Sequence, residues 1–272
     1  MISASVVIYN TLFEDLIKML SSYNPGPERR LYIIDNSASE TVYCREMQNE
    51  YITYLFSGKN LGYGAAHNLG IRRAIQDKSE YHVVLNPDVS FETTVIDELK
   101  EYVDEHNDIV YVLPKVLYPS GEIQYLCKLL PTPFDLIFRR FLPQIGIFKK
   151  MNDRYTLKKS GYDKIINPPC LSGCFMFMRT AVLRDKQIFF DERFFMYCED
   201  FDLIRRLHQV GKTIFYPEVT IVHDHKKESY RNKRMLKQHM KSAFKYFNKY
   251  GWFFDKERKE QNCKILEEII SM

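Results

Sequence analysis

The sequence predicts an α/β fold in which a mostly parallel sheet is flanked by helices and followed by a basic helical tail. Short apolar segments alternate with amphipathic segments through the first half of the chain. The 272 residues are 45% hydrophobic, which is enough for one large core. The net charge of +4 is uneven, because residues 226–264 carry 13 Lys and Arg against 4 Asp and Glu. The body of the chain is therefore mildly acidic, and the basic tail needs a partner or a packing surface.

The first half alternates strands with helices. In chain order, the apolar spacing predicts a strand over 3–9, a helix over 11–23 with Asn10 or Thr11 as its cap, strands over 31–35 and 51–57, a helix over 64–76, a strand over 81–85, a helix over 91–106 and a strand over 108–114. Strands that are joined by such helices form right-handed crossovers, so we expect a mostly parallel sheet.

The second half is less regular. Pro119–Gly121 predicts the turn of a hairpin, and the irregular spacing of residues 127–165 indicates an inserted loop or short helices. The remaining elements are a strand over 170–179, a helix that contains Leu203, Ile204 and Leu207 and ends at Gly211, and, over 213–225, a strand, a proline corner and a second strand.

The cysteines and the N-terminal segment indicate a cytoplasmic protein. Residues 1–9 lack the basic and long apolar regions of a secretory signal, and no stretch is long and apolar enough for a membrane span. The six cysteines are scattered without a C-x-x-C pair, as is typical of reduced thiols. A zinc site at Cys170 and Cys174 is less favoured than packing of both side chains in a core strand.

Polar residues follow three of the predicted parallel strands. They are Tyr9–Asn10, Asp35–Ser37 and Asn86–Asp88. Ligands bind beyond the carboxyl ends of the strands in such sheets, so these residues indicate a binding site at one edge. Pro87 has no N–H to donate to a neighbouring strand, so the strand is expected to end before Asp88. This favours a ligand role for Asp88 over a role in the core.

The glycine pattern excludes two nucleotide-binding motifs. No G-x-G-x-x-G follows the first strand, and no G-x-x-x-x-G-K-[ST] is present. Gly62 and Gly64 remain compatible with two interpretations. Their backbone could approach an anionic ligand at the start of a helix, or they could form an ordinary strand–helix turn.

Acidic residues and one histidine mark a second candidate site. Glu199, Asp200 and Asp202 crowd the start of a predicted helix, where the helix dipole tolerates acids. Asp202 is four positions before Arg206 and is interpreted as its structural partner. Asp200 has no such partner and could accept a proton from an alcohol. His223 ends a strand, and an imidazole there can bind a divalent metal together with Asp88.

Seven motifs in order resemble family 2 inverting glycosyltransferases, and most closely the rhamnosyltransferase-like branch that builds bacterial surface polysaccharides. They are SVVIYN, YIIDNSASE, NLGYGAAHNLGI, VVLNPDV, SGCFMFMR, FFMYCEDFDLIRRLHQVGK and IVHDH. The resemblance covers about residues 3–225. It implies a GT-A fold over 1–225, with a nucleotide-sugar-binding half (1–114) and an acceptor half (115–225), followed by the tail at 226–272.

The resemblance also implies a role for particular residues. Asp200 matches the catalytic base, and Asp88 and His223 match the residues that hold Mg²⁺ or Mn²⁺ and the diphosphate. The residues that would contact the nucleotide sugar are Tyr9, Asn10, Asp35, Asn60, Asn68, Asn86 and Gly173. Asn86 replaces the first aspartate of the family's D-x-D motif, which leaves fewer anionic metal ligands. Gly173 is expected in the wall between donor and acceptor, where a missing side chain admits a sugar, although it would equally suit a core strand.

The resemblance favours dTDP-L-rhamnose as the donor, with UDP-hexoses next, and a glycan or polyprenyl-diphosphate-linked acceptor. Residues 127–165 are expected to influence the choice of acceptor. A sugar nucleotidyltransferase is disfavoured, because YNTLFEDL offers no glycine- and lysine-bearing activation loop. A catalytically inactive nucleotide-sugar-binding scaffold subunit is the remaining alternative, against which the intact Asp88, Asp200 and His223 argue.

The tail has lysines at every fourth position from Lys233 to Lys249, followed by the aromatic segment KYGWFFDK. Basic residues interleaved with aromatics suit the anionic inner face of the cell membrane, where we expect a peripheral contact. The alternatives are a helix that packs on the domain and, less favoured, a nucleic-acid contact, for which no recognised module is present.

Overall fold

The computed structural model describes residues 1–139, 145–225 and 233–272. Within these ranges, one eight-stranded sheet has the order β3-β2-β1-β4-β7-β6-β8-β5. The strands are β1 (Ile2–Ile8), β2 (Arg29–Asp35), β3 (Ile52–Phe56), β4 (Tyr81–Leu85), β5 (Val89–Phe91), β6 (Ile109–Leu117), β7 (Phe175–Arg179) and β8 (Lys212–His223). The first four strands are parallel, as predicted, whereas β7 runs antiparallel between β4 and β6.

Helices cover the sheet and form the tail. They are α1 (Phe13–Tyr23), α2 (Val42–Glu46), α3 (Tyr63–Gln76), α4 (Val95–Asp104), α5 (Gly146–Tyr155), α6 (Thr180–Asp185), α7 (Glu199–His208), α8 (Lys233–Tyr250) and α9 (Lys256–Ser271). A π-helical turn at Phe134–Phe138 and a 3₁₀ turn at Lys158–Ser160 interrupt the irregular segment. No helix in the described part of the chain is long and apolar enough to cross a membrane.

The strand predicted over 170–179 is shorter than expected, because residues 173–174 form a bend and β7 begins at Phe175. Two further local predictions are wrong. Neither Asn10 nor Thr11 caps α1, because the helix begins at Phe13 and the Thr11 hydroxyl instead accepts a hydrogen bond from the Tyr9 N–H at 3.2 Å. Residues 213–223 form one strand rather than two. The pairing of β6 moves from Tyr216 to Thr220 between adjacent residues, so Pro217 lies in a bulge inside β8. A residue in a bulge makes no ladder hydrogen bond, so proline, which has no N–H, can lie there without ending the strand.

Strand β5 is an element that the sequence does not predict, as are the short helices α2 and α6. Residues 89–91 alternate too briefly to be distinguished from the start of the following helix. In the structure they pair antiparallel with the end of β8, so that Val89 lies opposite His223. This pairing joins the Asn86–Asp88 turn to the end of β8.

The tail packs on the domain. Ala243, Tyr246 and Phe247 of α8 are buried in a cluster with Phe194 and Cys198, and Ile265 of α9 belongs to the main core. The face of α8 that carries Ala243, Tyr246 and Phe247 therefore packs on the domain, which was one of the three alternatives for the tail.

A buried ion-pair network fixes the start of α9. The guanidinium of Arg205, on α7, donates to both carboxylate oxygens of Asp255, at 2.8 and 2.7 Å, and to Glu257 at 2.7 Å. Arg205 also lies over the ring of Tyr250, 4.0 Å from its centroid. The side chains of Arg205 and Asp255 are 2% and 3% exposed, so this pair is shielded from water.

Candidate active site

The pairing of β5 with β8 brings Asp88 and His223 together. The Asp224 N–H donates to the backbone oxygen of Asp88 at 3.0 Å, which fixes the turn beside the strand. The Asp88 Oδ1 then lies 3.4 Å from Nε2 of His223, and Nδ2 of Asn86 lies 3.4 Å from the same nitrogen. The structure thus places these three predicted residues in one site at the sheet edge.

Gln124 orients the His223 ring from behind. Its Nε2 donates to the backbone oxygens of His223, at 2.6 Å, and Leu117, at 3.2 Å, so its Oε1 is left to accept from Nδ1 of His223 at 3.2 Å. Nε2 therefore faces Asp88. Burial opposes a charge on the ring, but Cys174 and the Asp88 carboxylate outweigh it and raise the pKa of His223 to about 10. Sequence analysis missed Gln124, because no motif marks it.

The donor set fits a divalent cation that is shared with a substrate. Asp88 offers carboxylate oxygen, and His223 would offer Nε2 once that nitrogen gives up its proton, so cation binding and protonation compete at His223. No three His, Cys, Asp or Glu side chains converge on a metal-sized site within residues 1–139, 145–225 and 233–272. A cation held here would need further ligands, and phosphate oxygens and water would supply them.

A strained turn positions Asp200. Tyr197 and Cys198 both adopt left-handed backbone angles, with φ of 68° and 66°, immediately before α7. The Asp200 carboxylate accepts from the backbone N–H of Phe201 at 2.9 Å and of Gly173 at 3.3 Å. Burial raises the pKa of Asp200, and these backbone bonds together with nearby Lys128 partly offset the rise. A raised pKa suits a group that must accept a proton.

Gly173 makes room for Asp200. A Cβ at Gly173 would lie 3.0 Å from the Cβ of Asp200, which is tighter than ordinary packing. The backbone oxygen of Gly173 also accepts from the Tyr63 hydroxyl at 2.7 Å, and that hydroxyl lies 3.0 Å from Oδ1 of Asn86. Gly173 therefore links the Asp200 turn to the Asn86–Asp88 turn. Its contact is with the protein's own carboxylate, while its contact with a sugar stays a prediction.

Glu199 is a site residue that sequence analysis assigned only to an acidic first turn. Its side chain is 5% exposed, and Oε2 has no hydrogen-bond partner among the described residues. Burial and the adjacent Asp200 carboxylate raise the pKa of Glu199 well above its usual range. The site thus holds one carboxyl whose neutral form is favoured by burial beside another that is hydrogen-bonded to the backbone.

We expect Glu199→Gln to stabilise the fold at about pH 8 and to change little near pH 4. A carboxyl whose pKa is raised in the folded state makes the free energy of unfolding fall as the pH rises from its unfolded pKa, about 4.3, through its folded pKa. Glutamine at this position removes that dependence. Each unit of pKa is worth about 1.4 kcal/mol, and each kcal/mol moves the melting temperature by about 2–4 °C at this size. Thermal melts across this pH range, with exposed Glu122→Gln as the control, measure the effect. Equal melting temperatures at every pH would contradict a neutral Glu199.

Asp202 is structural, as predicted. Its carboxylate accepts from Arg206 at 2.6 Å and also from Lys249 and, at 2.7 Å, Tyr250. Its carboxylate therefore anchors α8 to α7. It does not share the role proposed for Asp200.

The residues expected to hold the base and ribose lie at the ends of β1 and β2. Tyr9 is half exposed, and Asn10 follows it with a left-handed φ of 52°. Burial alone would raise the pKa of Asp35, but hydrogen bonds from Tyr54, Ser37 and Thr41 lower it below its usual value. Asp35 is thus an ionised carboxylate with three donors inside the protein.

The loop before α3 packs against the backbone of Phe195 in the same protein. Asn60 accepts from the Gly62 N–H at 2.9 Å, which shapes the turn. A Cβ at Gly62 would lie 2.2 Å from the backbone oxygen of Phe195, and the Tyr63 N–H donates to that same oxygen at 2.9 Å. The interpretation of Gly62 as a close approach to a ligand is therefore wrong. The glycine admits the segment around Phe195.

Asn68 does not fit its predicted contact with the nucleotide. Its side chain is fully buried, and Nδ2 donates to the backbone oxygen of Phe190 at 2.9 Å and to Glu192 at 3.0 Å. Oδ1 accepts from the Phe190 N–H at 2.9 Å. These bonds hold residues 190–192 against α3, and their burial keeps the amide from a ligand.

The same sequence matches a known family. The profile described as Glycosyl transferase family 2 matches residues 3–185, which is more than half of the chain. The chain belongs to glycosyl transferase family 2. The matched range of this glycosyltransferase includes Asp35, Asn86 and Asp88, whereas Asp200 and His223 lie beyond it.

Two curated relatives of this glycosyltransferase are rhamnosyltransferases. Rhamnosyltransferase WbbL of Escherichia coli (strain K12) is 26% identical over 257 residues, which are 89% of this chain and 91% of that protein. The N-acetylglucosaminyl-diphospho-decaprenol L-rhamnosyltransferase of Mycobacterium tuberculosis is 27% identical over 228 residues, which are 79% of this chain and 73% of that protein. The predicted resemblance to the rhamnosyltransferase-like branch is confirmed.

A solved structure shows the likeness in fold. The crystal structure of GalNAc-T7 with UDP, GalNAc and Mn²⁺ matches 99% of this glycosyltransferase and 56% of that protein, with a TM-score of 0.62 and 13% identity. At this identity the match carries the fold alone. The predicted α/β fold of GT-A type, with a mostly parallel sheet and C-terminal helices, is confirmed.

Proposed function

We propose that this glycosyltransferase moves a sugar, rhamnose from dTDP-L-rhamnose or next a UDP-hexose, onto a hydroxyl of a glycan or lipid-linked acceptor with inversion. The observation that carries the proposal is one cleft of about 290 Å³ that is lined by both Asp200 and His223. A candidate base and a candidate diphosphate site thus open onto the same space. The names of the two rhamnosyltransferase relatives support the choice of sugar.

The proposed reaction is a single displacement at the anomeric carbon. The acceptor oxygen forms its bond to that carbon as the bond to the nucleoside diphosphate breaks, and Asp200 takes the proton of the attacking hydroxyl. Asp88 and His223 would hold Mg²⁺ or Mn²⁺, which when bound neutralises charge on the leaving diphosphate. Tyr9 and Asn10 would bind the base and ribose, and Asn60 and Asn86 would lie beside the phosphates. The fully buried Asp35 carboxylate, with its three internal donors, would hold the Ser37–Thr41 segment next to that site.

A donor panel tests this function. We expect one nucleotide sugar to raise the melting temperature only with Mg²⁺ or Mn²⁺ present, and to release diphosphate nucleotide slowly without an acceptor. Asp88→Ala should weaken this metal-dependent binding, whereas Asp224→Ala, which changes an exposed neighbouring carboxylate, should not. Hydrolysis of no donor in the panel would favour the inactive scaffold. Donor binding that ignores both EDTA and Asp88→Ala would remove Asp88 from the proposed metal site.

We also propose that the outer face of the tail meets the inner surface of the cell membrane. Phe253 and Phe254 are 78% and 96% exposed, and Phe244 stands beside Trp252 on the exposed side of α8. Lys237 and Lys241 are exposed on the same helix. Aromatic and basic side chains together suit an anionic bilayer surface.

Vesicle binding tests the tail. We expect the full chain to sediment with vesicles that contain anionic lipid, less so at high salt, and the Phe253→Ser/Phe254→Ser variant to lose most of this binding. Phe56→Ser changes an aromatic that is 39% exposed at the end of β3, away from the tail, and is the control. Equal sedimentation of the tail variant and the parent protein would contradict the membrane contact.

A further inference from the structure

We propose that Lys128 and Arg139, in the cleft that Asp200 lines, bind the diphosphate of a prenyl-diphosphate-linked acceptor. This inference rests on the proposed function, because it assigns the acceptor side of the same cleft. The described lining residues that carry it are Lys128, Asp135, Arg139, Tyr155 and Glu199.

Lys128 lies beside the residue that follows the proposed base. Its Nζ lies 5.0 Å from the centroid of the Phe201 ring, and Phe201 directly follows Asp200. The charge of Lys128 partly offsets the rise that burial causes in the pKa of Asp200. A negative group of an acceptor that binds to Lys128 would therefore lie near the hydroxyl that Asp200 deprotonates.

Arg139 supplies a second cation with a preset direction. Its Nε donates to the backbone oxygen of Asp135 at 3.3 Å, another nitrogen donates to the side-chain oxygen of Asn152, and the guanidinium lies over the Tyr155 ring at 4.7 Å. Neutral groups thus hold the guanidinium. The Tyr155 hydroxyl is buried in the cleft lining and has no partner among the described residues. A phosphate oxygen would satisfy a hydroxyl of this kind.

The acids in the cleft do not cancel these charges. Neither Lys128 nor Arg139 takes part in an ion pair with any carboxylate in the described ranges. The Asp135 carboxylate instead accepts from the N–H and hydroxyl of Thr132 at 2.8 and 2.6 Å. The raised pKa of Glu199 favours its neutral form. Two cations that form no contact ion pair among the described residues fit the two charges of a diphosphate.

The position of Arg139 links this site to the tail. Arg139 follows the π-helical turn Phe134–Phe138, and Leu136 of that turn is buried against Ala243 and Phe247 of α8. Phe138, next to Arg139, is half exposed. An acceptor with its diphosphate on Arg139 would therefore have its sugar toward Asp200 and its prenyl chain toward the element proposed to meet the membrane.

Farnesyl diphosphate is the probe for this site. Calorimetric titration of the full chain in EDTA, which keeps metal away from Asp88, should show binding that farnesol does not share and that inorganic pyrophosphate shows only weakly. We expect Lys128→Gln and Arg139→Gln each to raise the Kd about tenfold, as loss of one charge-assisted contact predicts. Arg139→Lys should lose less affinity than Arg139→Gln, because the charge remains while the contacts that direct the guanidinium are lost. Lys150→Gln, which neutralises an exposed lysine on α5 outside the cleft, should bind like the parent protein.

Three results would overturn the proposal. Farnesol that binds as tightly as farnesyl diphosphate would assign the affinity to the apolar chain. Pyrophosphate that binds as tightly would indicate a site for a free anion. Saturating nucleoside diphosphate with Mn²⁺ that displaces the probe would place it in the donor site. Lys128→Gln and Arg139→Gln are read separately, so misfolding of one variant, detected by its melting temperature, leaves the other to decide.

The test separates this inference from the proposed function. Donor hydrolysis without an acceptor is read first on the parent protein and on Lys150→Gln, whose side chain is outside the cleft, so the transferase is judged independently of the two cations. Arg139-dependent binding of farnesyl diphosphate in a protein that hydrolyses no donor would overturn the transferase and keep the diphosphate site. A protein that hydrolyses a donor but binds the probe independently of both cations would keep the transferase and overturn the site.

Discussion

Asp200→Asn should reduce kcat by about 10²–10⁴-fold, or roughly 3–5 kcal/mol, because the variant cannot accept the proton of the acceptor hydroxyl. The substitution keeps the shape of the side chain, and its one amide oxygen can retain the 2.9 Å bond from the Phe201 N–H while the longer bond from the Gly173 N–H, 3.3 Å to the other oxygen, is given up. The fold and the donor site should therefore survive. Initial rates with saturating donor and acceptor, together with the Kd of the donor, measure both halves of this expectation.

The control for Asp200→Asn is Glu199→Gln. Both variants replace an acid by its amide in adjacent positions, but Glu199 is already favoured in its neutral form. We expect the Glu199 variant to retain far more activity than the Asp200 variant. An Asp200→Asn protein that keeps most of its turnover would show that another group takes the proton.

Arg205→Ala should destabilise the fold by about 3–5 kcal/mol, because it leaves the buried Asp255 carboxylate without its cation. Asp255 also accepts from the Arg258 N–H at 3.0 Å at the start of α9, so the loss should loosen the last helix first. A drop of about 10 °C or more in melting temperature is expected for a chain of this size. Thermal melts and urea unfolding measure it.

A surface pair provides the comparison. Lys212 and Asp108 form an ion pair in which both side chains are more than half exposed, so Lys212→Ala should cost less than about 1 kcal/mol. The double variant Arg205→Met/Asp255→Leu should recover much of the stability, because apolar residues often replace a buried ion pair without loss. A loss of under about 1 kcal/mol for Arg205→Ala would mean that the network adds nothing beyond a surface pair.

The sheet was predictable where a strand is apolar on both faces. YHVVL and LYIID are buried along their length in the structure, and their order with the helices between them predicted parallel pairing. The short strand β5 and the bulge at Pro217 were not predictable. Both depend on pairing with a distant segment, β8 or β6, and local periodicity carries no information about that pairing.

The candidate site was predictable to the extent that its residues end strands or begin helices. Asp88 and His223 were predicted because each follows or ends a strand, and the structure places Oδ1 of Asp88 3.4 Å from Nε2 of His223. Asn68 was misread, because a sequence does not distinguish an amide that binds a ligand from one that braces residues 190–192. Gln124 and Glu199 carry ordinary sequence signals, and only their burial and hydrogen-bond geometry distinguish them.

The packing of α8 has a practical consequence for shortened forms of the protein. Tyr246 and Phe247 are buried with Cys198, two residues before Asp200, and Ser242 donates to the backbone oxygen of Met196 at 2.7 Å. A chain that ends before Lys233 would lack α8, and Cys198, in the turn before Asp200, would become exposed to water. Such a deletion would abolish turnover even in a detergent assay with a water-soluble acceptor. Loss of activity on truncation therefore cannot be read as loss of anchoring, and only point changes on the outer face of the helix separate the two.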